Sequence, residues 1–192
     1  MNLISNECTA GFIHKRNHWQ YGSPFMWTTV RYEDMLTFVT QYDNIDFSKF
    51  EIEREEPWNF YVRVDDKARI GFWLHFKFDK NATTPRIVGD NVYSCRIWEY
   101  IANKYSERAA RMDKDPKFII SWHEWLGYTR DNIEHFLAQT FPHKTLIIMP
   151  YKEFANFKKE NLEVIYDENM GKGGYFPNYF VNKYFKQMIS KD

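Results

Sequence analysis

Hydrophobic and polar residues alternate strictly in the middle of the chain. Apolar residues occupy every second position of Phe60–Val64 and again of Arg69–Phe78, and Asp65-Asp66 lies between the two segments. A period of two is typical of strands with one buried face, and a pair of aspartates suits a tight turn. The pattern therefore predicts an antiparallel hairpin over residues 60–78.

Apolar residues elsewhere recur either at helical spacing or in short uninterrupted runs. Ser5 or Asn6 is placed to cap the first helix, and Thr129 to cap a later one. Strands that alternate with helices are typical of a parallel sheet. The predicted fold is α/β, a mainly parallel sheet flanked by helices with the antiparallel hairpin inserted, in a single domain over residues 1–192. The predicted helices are Glu7–Asn17, Tyr32–Tyr42, Val92–Met112, Thr129–Thr140 and Pro177–Ile189, and the further strands are Asn2–Ser5, Met26–Val30, Phe118–Trp122 and Thr145–Met149.

The charge balance and the cysteine content narrow the partners and the compartment. Lysine and arginine total 26 and so do aspartate and glutamate, so no net charge attracts nucleic acid or an anionic membrane surface. Two cysteines are too few for the disulfide framework of a small secreted domain. The first residues lack a signal-peptide pattern, and every apolar run is shorter than the ~20 residues that span a bilayer. We expect a cytoplasmic protein with no transmembrane segment and no nucleic-acid partner, and the oligomeric state stays open.

Cys8 is the first candidate for chemistry. With a strand that ends at Ser5, Cys8 lies in the first turn of the following helix, where free backbone N–H groups and the helix dipole stabilise a thiolate nucleophile. The alternative is a small buried apolar side chain. The same turn can instead bind the phosphate of a donor through its N–H groups, which makes Ser5, Asn6 and Gly11 candidate cofactor-binding residues.

His123 and Glu124 follow the predicted strand Phe118–Trp122. If that strand runs parallel to the first one, His123 lies at the same edge of the sheet as Cys8 and can act as a general base oriented by Glu124. The alternative is a partly exposed loop histidine. His75 lies on the face of its strand opposite to the apolar row, which is either a solvated surface or the floor of a cleft. No metal site is predicted, since no Cys-x-x-Cys spacing occurs.

Two further groups of residues are candidates for binding a phosphate. The glycine-rich segment Gly171–Gly174 combines backbone N–H groups with the positive charge of Lys172, and the alternative is a flexible connection. Arg108 and Arg111 are three residues apart on one face of a predicted helix. They are suited to clamp a phosphate, and the alternative is a solvated charged face.

Aromatic residues make up 19% of the chain, and two clusters of them fall in predicted loops. One cluster surrounds the Ser23-Pro24 turn and the other flanks His123. Aromatic faces suit the C–H faces of sugar rings and also protein interfaces, so both loops are candidate substrate-binding surfaces. The candidate substrate-binding residues are Ser23, Trp27, His75, Trp122 and Trp125.

Three segments of the chain, in order, carry a family resemblance. The first holds Ile4-Ser5-Asn6-Glu7-Cys8 and then Tyr21-Gly22-Ser23-Pro24, the second Glu107-Arg108-x-x-Arg111-Met112, and the third Thr129–Phe136 followed by Phe141-Pro142-His143-Lys144. Together they resemble a bacterial domain of unknown function that recurs in exopolysaccharide and capsule gene clusters. The resemblance covers residues 3–150 and implies an α/β fold and a role in surface-glycan assembly. The chain departs from the family's Ile-Ser-Asn-Asn-Cys-Trp-Gly-Gly opening at Glu7, Thr9 and Ala10.

These observations lead to the hypothesis of a transferase that modifies a sugar or glycan precursor in surface-polysaccharide biosynthesis. Acyl transfer from a CoA-type donor is favoured, with Cys8 as nucleophile or with His123 as the base that deprotonates a sugar hydroxyl. The alternatives are a glycosyltransferase that uses a nucleotide sugar and a non-catalytic glycan-binding or assembly subunit. No permanently bound cofactor is expected.

Overall fold

A computed structural model describes residues 3–7, 9–18, 23–25, 28–56, 59–72, 101–122, 124–155, 157–170 and 177–189. The strands are β1 (Leu3–Ser5), β2 (Thr28–Thr29), β3 (Phe50–Glu56), β4 (Asn59–Val64), β5 (Ala68–Phe72), β6 (Lys117–Ser121), β7 (Thr145–Met149), β8 (Lys158–Lys159) and β9 (Leu162–Tyr166). The helices are α1 (Thr9–Arg16), α2 (Tyr32–Gln41), α3 (residues 101–109), α4 (Ile133–Ala138) and α5 (Pro177–Ile189). Short 3-10 turns occupy Tyr42–Asn44, Glu124–Leu126 and Lys152–Phe154.

The larger sheet has the strand order β1-β6-β7-β9-β8. Its first four strands run parallel to one another, and only the short edge strand β8 is antiparallel. Strands β1, β6 and β7 are short apolar runs whose side chains are almost all buried, as expected for a parallel sheet covered on both faces. The structure confirms the predicted α/β fold with a mainly parallel sheet flanked by helices.

The predicted hairpin forms part of a second sheet, of order β2-β5-β4-β3. Asp65 and Asp66 both have positive φ angles, 49° and 54°, as the tight turn between β4 and β5 requires. Strand β3 was not predicted, because Phe50 and Ile52 are its only apolar residues and all its other residues are charged. The predicted positions 73–78 of the second hairpin strand lie outside the described residues.

Two clusters of apolar side chains cover the two faces of the parallel sheet. On one face, Leu3 and Ile119 pack with residues of α1 and α5. On the other face, Ile4, Phe118 and Ile120 pack with α2, α4 and the inner face of the second sheet. Neighbouring residues of one strand therefore belong to different clusters, as the alternation of side chains along a strand requires.

This layering creates a topological switch point between β1 and β6. These two strands are parallel neighbours, yet the chain leaves β1 toward α1 on one face and leaves β6 toward α4 on the other face. In open α/β sheets, adjacent connections that depart to opposite faces leave a crevice at the carboxyl ends of the strands, where ligands bind. The residues that follow Ser5 and Ser121 therefore lie where a fold of this kind binds its ligands.

The helix predictions agree with the structure for α1, α2 and α5 within two residues at each end. Helix α4 begins at Ile133 instead of Thr129, so the predicted cap at Thr129 is wrong. The Thr129 hydroxyl donates to Asn132 Oδ1 at 3.1 Å, and its carbonyl accepts the indole N–H of Trp122 at 3.1 Å. These bonds hold residue 129 in a loop before the helix.

Candidate functional site

The carboxyl end of β1 is joined to that of β6 by a side chain. Asn6 Nδ2 donates to the Ser121 carbonyl at 2.9 Å, and the Ser121 N–H donates to Asn6 Oδ1 at 2.9 Å. The amide of Asn6 therefore continues the hydrogen-bond pattern of the sheet one step beyond β1. Ser5 Oγ accepts the N–H of Ala10 in the first turn of α1 at 3.0 Å, although α1 begins at Thr9 and Ser5 does not directly precede the helix as predicted. Ser5, Asn6 and Ser121 are all buried.

A segment of the second sheet covers this joint. The N–H of Val30 donates to the Asn6 carbonyl at 2.9 Å, and the Tyr128 hydroxyl donates to the Val30 carbonyl at 2.9 Å. Burial raises the pKa of Tyr128 well above its usual range, so the hydroxyl stays protonated and can donate. The hydroxyl of Thr28, two residues before Val30, is buried and has no hydrogen-bond partner in the part of the chain that the structure describes. The joint is thus an internal polar cluster.

Glu7 is the acidic member of this cluster. Only 2% of its surface is exposed, and its charge contributes to the raised pKa of Tyr128. The sequence pattern placed Glu7 in the first turn of the helix, but α1 begins at Thr9, so Glu7 lies in the connection between β1 and α1. A buried ionisable group at a switch point is a candidate for catalysis. Sequence reasoning missed this candidate, and the available signal was an acidic residue two positions after the end of a buried strand.

The two residues predicted to do chemistry, Cys8 and His123, lie outside the described residues. Their neighbours in sequence are placed, and the contact between Asn6 and Ser121 confirms that the two strands end side by side in parallel. The roles of Cys8 and His123 stay predictions. Trp27, His75, Lys172 and the side chain of Trp125 also lie outside the described part of the chain.

The exposed part of this edge lies beyond β6 and β7. Glu124, predicted to orient a catalytic histidine, is exposed there. Arg130 Nε donates to Glu153 Oε1 at 3.0 Å, and the guanidinium lies over the rings of Phe154, 4.8 Å from the centroid, and Tyr151, at 5.8 Å. Burial raises the pKa of Tyr151, and the negative charge of Glu124 raises it further. We call Glu124, Arg130, Tyr151, Glu153 and Phe154 the β6–β7 rim.

Trp122, a predicted substrate-binding residue, lies in the core instead, as do Tyr128 and Phe25 from the two aromatic loop clusters. Trp122 and Tyr128 are fully buried and contact one another, with a centroid distance of 5.4 Å, so neither offers a face to a sugar ring. Phe25 is also fully buried and packs against Phe38. Ser23 is buried and donates to the Leu3 carbonyl at 3.3 Å, which ties its loop to β1.

The predicted phosphate-binding arginines are separated from the β1–α1 turn. Arg111 lies just before Asp113, whose carbonyl accepts the Tyr42 hydroxyl beside the beginning of β6. The beginning of β6 is at the opposite edge of the sheet from Asn6. Arg108 lies three residues before Arg111. These arginines and the β1–α1 turn therefore do not form one site. Gly11 is a buried residue of α1.

No group of histidine, cysteine, aspartate and glutamate suited to a metal ion occurs among the described residues. His14 and His18 have the i, i+4 spacing of some metal ligands, but α1 ends at Arg16 and His18 has a φ of 55°, so the two do not share a helix face. Within the same described ranges, no helix combines the length and apolar character needed to cross a membrane.

No family model matches the chain and no curated protein matches it. The resemblance to the exopolysaccharide family stays a prediction from the sequence.

Proposed function

We propose that this protein is a transferase that modifies a sugar or glycan precursor, with its reacting groups at the carboxyl ends of β1 and β6. The observation that carries the proposal is the buried carboxylate of Glu7 at the topological switch point, next to the joint of Asn6 and Ser121. Open α/β proteins place ligands at such points, and a buried ionisable group there is a candidate for proton transfer.

The chemistry of transfer to a sugar needs a base and a donor site. The carboxylate of Glu7 can accept the proton of an acceptor hydroxyl, a role that the sequence assigned to His123. Cys8 directly follows Glu7, so a thiol nucleophile and a carboxylate base would come from one turn. These assignments favour acyl transfer from a CoA-type donor, in which an acyl group passes to a sugar hydroxyl and the free thiol of CoA leaves.

A nucleotide-sugar glycosyltransferase is the second candidate and would use the same edge of the sheet. A non-catalytic glycan-binding subunit is the third candidate. The half-buried rings of Tyr151 and Phe154 on the β6–β7 rim support glycan binding in every case.

Thermal unfolding with added ligands tests the proposal. A ligand that binds only the folded protein adds about 2.7 kcal/mol of stability at a concentration of one hundred times its Kd, which raises the melting temperature. Acetyl-CoA and free CoA raise it if the protein is an acyltransferase, and a nucleotide sugar does so if it is a glycosyltransferase. If none of these compounds changes the melting temperature, the transferase proposal is wrong.

Glu7→Gln and Cys8→Ala then separate catalysis from structure. We expect each variant to bind the donor and to lose more than tenfold in turnover with that donor, since each removes a reacting group. Glu134→Gln, an exposed glutamate of α4, is the matched control and keeps full turnover. Full turnover in Glu7→Gln would remove Glu7 from the mechanism.

A further inference from the structure

We propose that the β6–β7 rim binds an uncharged, hydroxyl-rich sugar unit of the acceptor, through hydrogen bonds from Arg130 and to Glu124 and Glu153. The role of that sugar as the acceptor rests on the proposed function. Its binding is argued from the positions of the rim residues alone.

Arg130 is held in place with most of its donors available. Its Nε bonds to Glu153, and its guanidinium lies over the rings of Phe154 and Tyr151. The four N–H groups on its two Nη atoms have no hydrogen-bond partner in the described ranges, and 42% of the side chain is exposed. A guanidinium fixed by an ion pair and two rings loses little side-chain entropy when a ligand binds.

Acceptors lie on the same rim as these donors. Glu153 uses one carboxylate oxygen for Arg130, and its second oxygen has no partner within the described ranges. The carboxylate of Glu124 is exposed and equally without a hydrogen-bond partner there, and its charge acts on the hydroxyl of Tyr151. The Tyr151 hydroxyl is protonated at neutral pH, as tyrosine hydroxyls ordinarily are, so it can both donate and accept.

The combination of hydrogen-bond donors and acceptors on the β6–β7 rim indicates which class of ligand it binds. Each sugar hydroxyl is a donor and an acceptor, so vicinal hydroxyls can bridge a guanidinium and a carboxylate at once. A phosphate or an acidic sugar fits less well, because Glu124, Glu153 and the nearby Asp131 would repel its charge. The rim therefore selects uncharged sugars over acidic ones.

Backbone amide NMR of the full chain, titrated with neutral methyl hexosides and with a methyl hexuronide, tests the inference. We expect neutral sugars at millimolar concentration to shift the signals of rim residues, and the hexuronide to bind at least tenfold more weakly. Arg130→Gln should weaken neutral-sugar binding at least tenfold. The control is Arg63→Gln, which removes a similarly exposed arginine paired with Glu53 on the second sheet and should leave binding unchanged.

Three results would overturn the inference: neutral sugars that shift no rim signal, an Arg130→Gln variant that binds as the wild type does, or a hexuronide that binds as tightly as the neutral sugars. The proposed function fails separately. If a donor raises the melting temperature of wild type and Arg130→Gln alike while no sugar shifts the rim, the transferase proposal stands and the sugar site is wrong. If sugars shift the rim but no donor binds, the sugar site stands and the transferase proposal is wrong.

Discussion

The two edges of the parallel sheet hold their polar side chains in different ways. At the edge where the strands begin, His143 Nδ1 lies 3.1 Å from Asp115 Oδ1 and its Nε2 lies 3.0 Å from Asp43 Oδ1, so both ring nitrogens face carboxylates. At the edge where the strands end, Arg130 and Glu124 keep hydrogen-bonding groups available to a ligand. The first arrangement joins elements of the fold, and the second can bind something else.

Tyr42 shows how complete the bonding is at the first edge. Its hydroxyl donates to the Asp113 carbonyl at 2.8 Å, and its ring packs edge-on against the ring of His143 at 5.2 Å. Burial raises the pKa of Tyr42, so the hydroxyl keeps its proton and its bond. The loops before β6 and β7 are thereby fixed to the end of α2. We expect substitutions here to change stability and to leave ligand binding alone.

The largest effect is expected at Asn6, which fixes the geometry of the candidate site. Asn6→Leu leaves the N–H and the carbonyl of Ser121 without their buried partners, and each unsatisfied group costs about 1–3 kcal/mol. The free energy of unfolding in urea should fall by about 3 kcal/mol. The control Asn182→Leu, which removes an exposed acceptor of Arg16, should cost less than about 0.5 kcal/mol. Equal effects of the two substitutions would mean that Asn6 does not join the strands.

Local patterns predicted β1, β6 and β7 of the parallel sheet, because these strands are short and mainly apolar, but they did not predict β9. They did not predict β3, since its charged residues pair across to β4 and only two large apolar residues mark it. They misplaced the start of α4, because Thr129 and Asp131 form a good capping pattern that the bond from Trp122 overrides. A capping bond joins residues within one helical turn, whereas the bond from Trp122 to Thr129 forms only when β6 and the following loop are folded.

The candidate site was only partly predictable, because some of its features are local in sequence and others depend on long-range contacts. Ser5 and Asn6 were identified at the end of β1, because the end of a strand can be located in sequence. Glu7 is buried, and the carbonyl of its neighbour Asn6 accepts the N–H of Val30, which directly follows β2 of the second sheet. The pairing of Arg130 with Glu153 depends on β6 and β7 being neighbours. Contacts between residues so far apart in sequence leave no periodic signal in it.

Asp167 shows whether polar groups are available to a ligand along the whole carboxyl edge of the sheet or along only part of it. It directly follows β9, and its buried carboxylate accepts bonds from Lys183 Nζ at 2.8 Å, Tyr184 Oη at 2.7 Å and the Asn169 N–H at 2.9 Å. Tyr184 interrupts the helical geometry of α5 where it makes this bond. The carboxyl edge is therefore fully bonded at β9, and the availability belongs to the part near β6 and β7.

We expect Asp167→Asn to cost about 1–2 kcal/mol at neutral pH, because it removes the charge that Lys183 and Tyr184 bind while Lys183 is partly solvated. Burial alone would raise the pKa of Asp167, but its hydrogen bonds from Lys183 and Tyr184 outweigh burial and lower it. A carboxyl with a lowered folded-state pKa stabilises the protein above its unfolded-state pKa and loses that effect as the pH falls through the folded-state value. The difference between wild type and variant should therefore shrink below about pH 4. Urea unfolding across a pH series measures it, and a difference that does not change with pH would refute the assignment.

The smallest effect is expected at His143, where the comparison of the two edges is sharpest. His143→Gln removes both contacts with carboxylates, but 59% of the Asp43 side chain and 90% of the Asp115 side chain are exposed, so water already screens these charges. The free energy of unfolding should fall by about 1 kcal/mol or less, and a matched change at an exposed histidine, His18→Asn, should have no measurable effect. Sugar binding to the β6–β7 rim and donor binding should both match the wild type, because His143 lies at the opposite ends of the same strands. A tenfold change in either affinity would mean that the amino edge also takes part in function, and the division of roles between the two edges would be wrong.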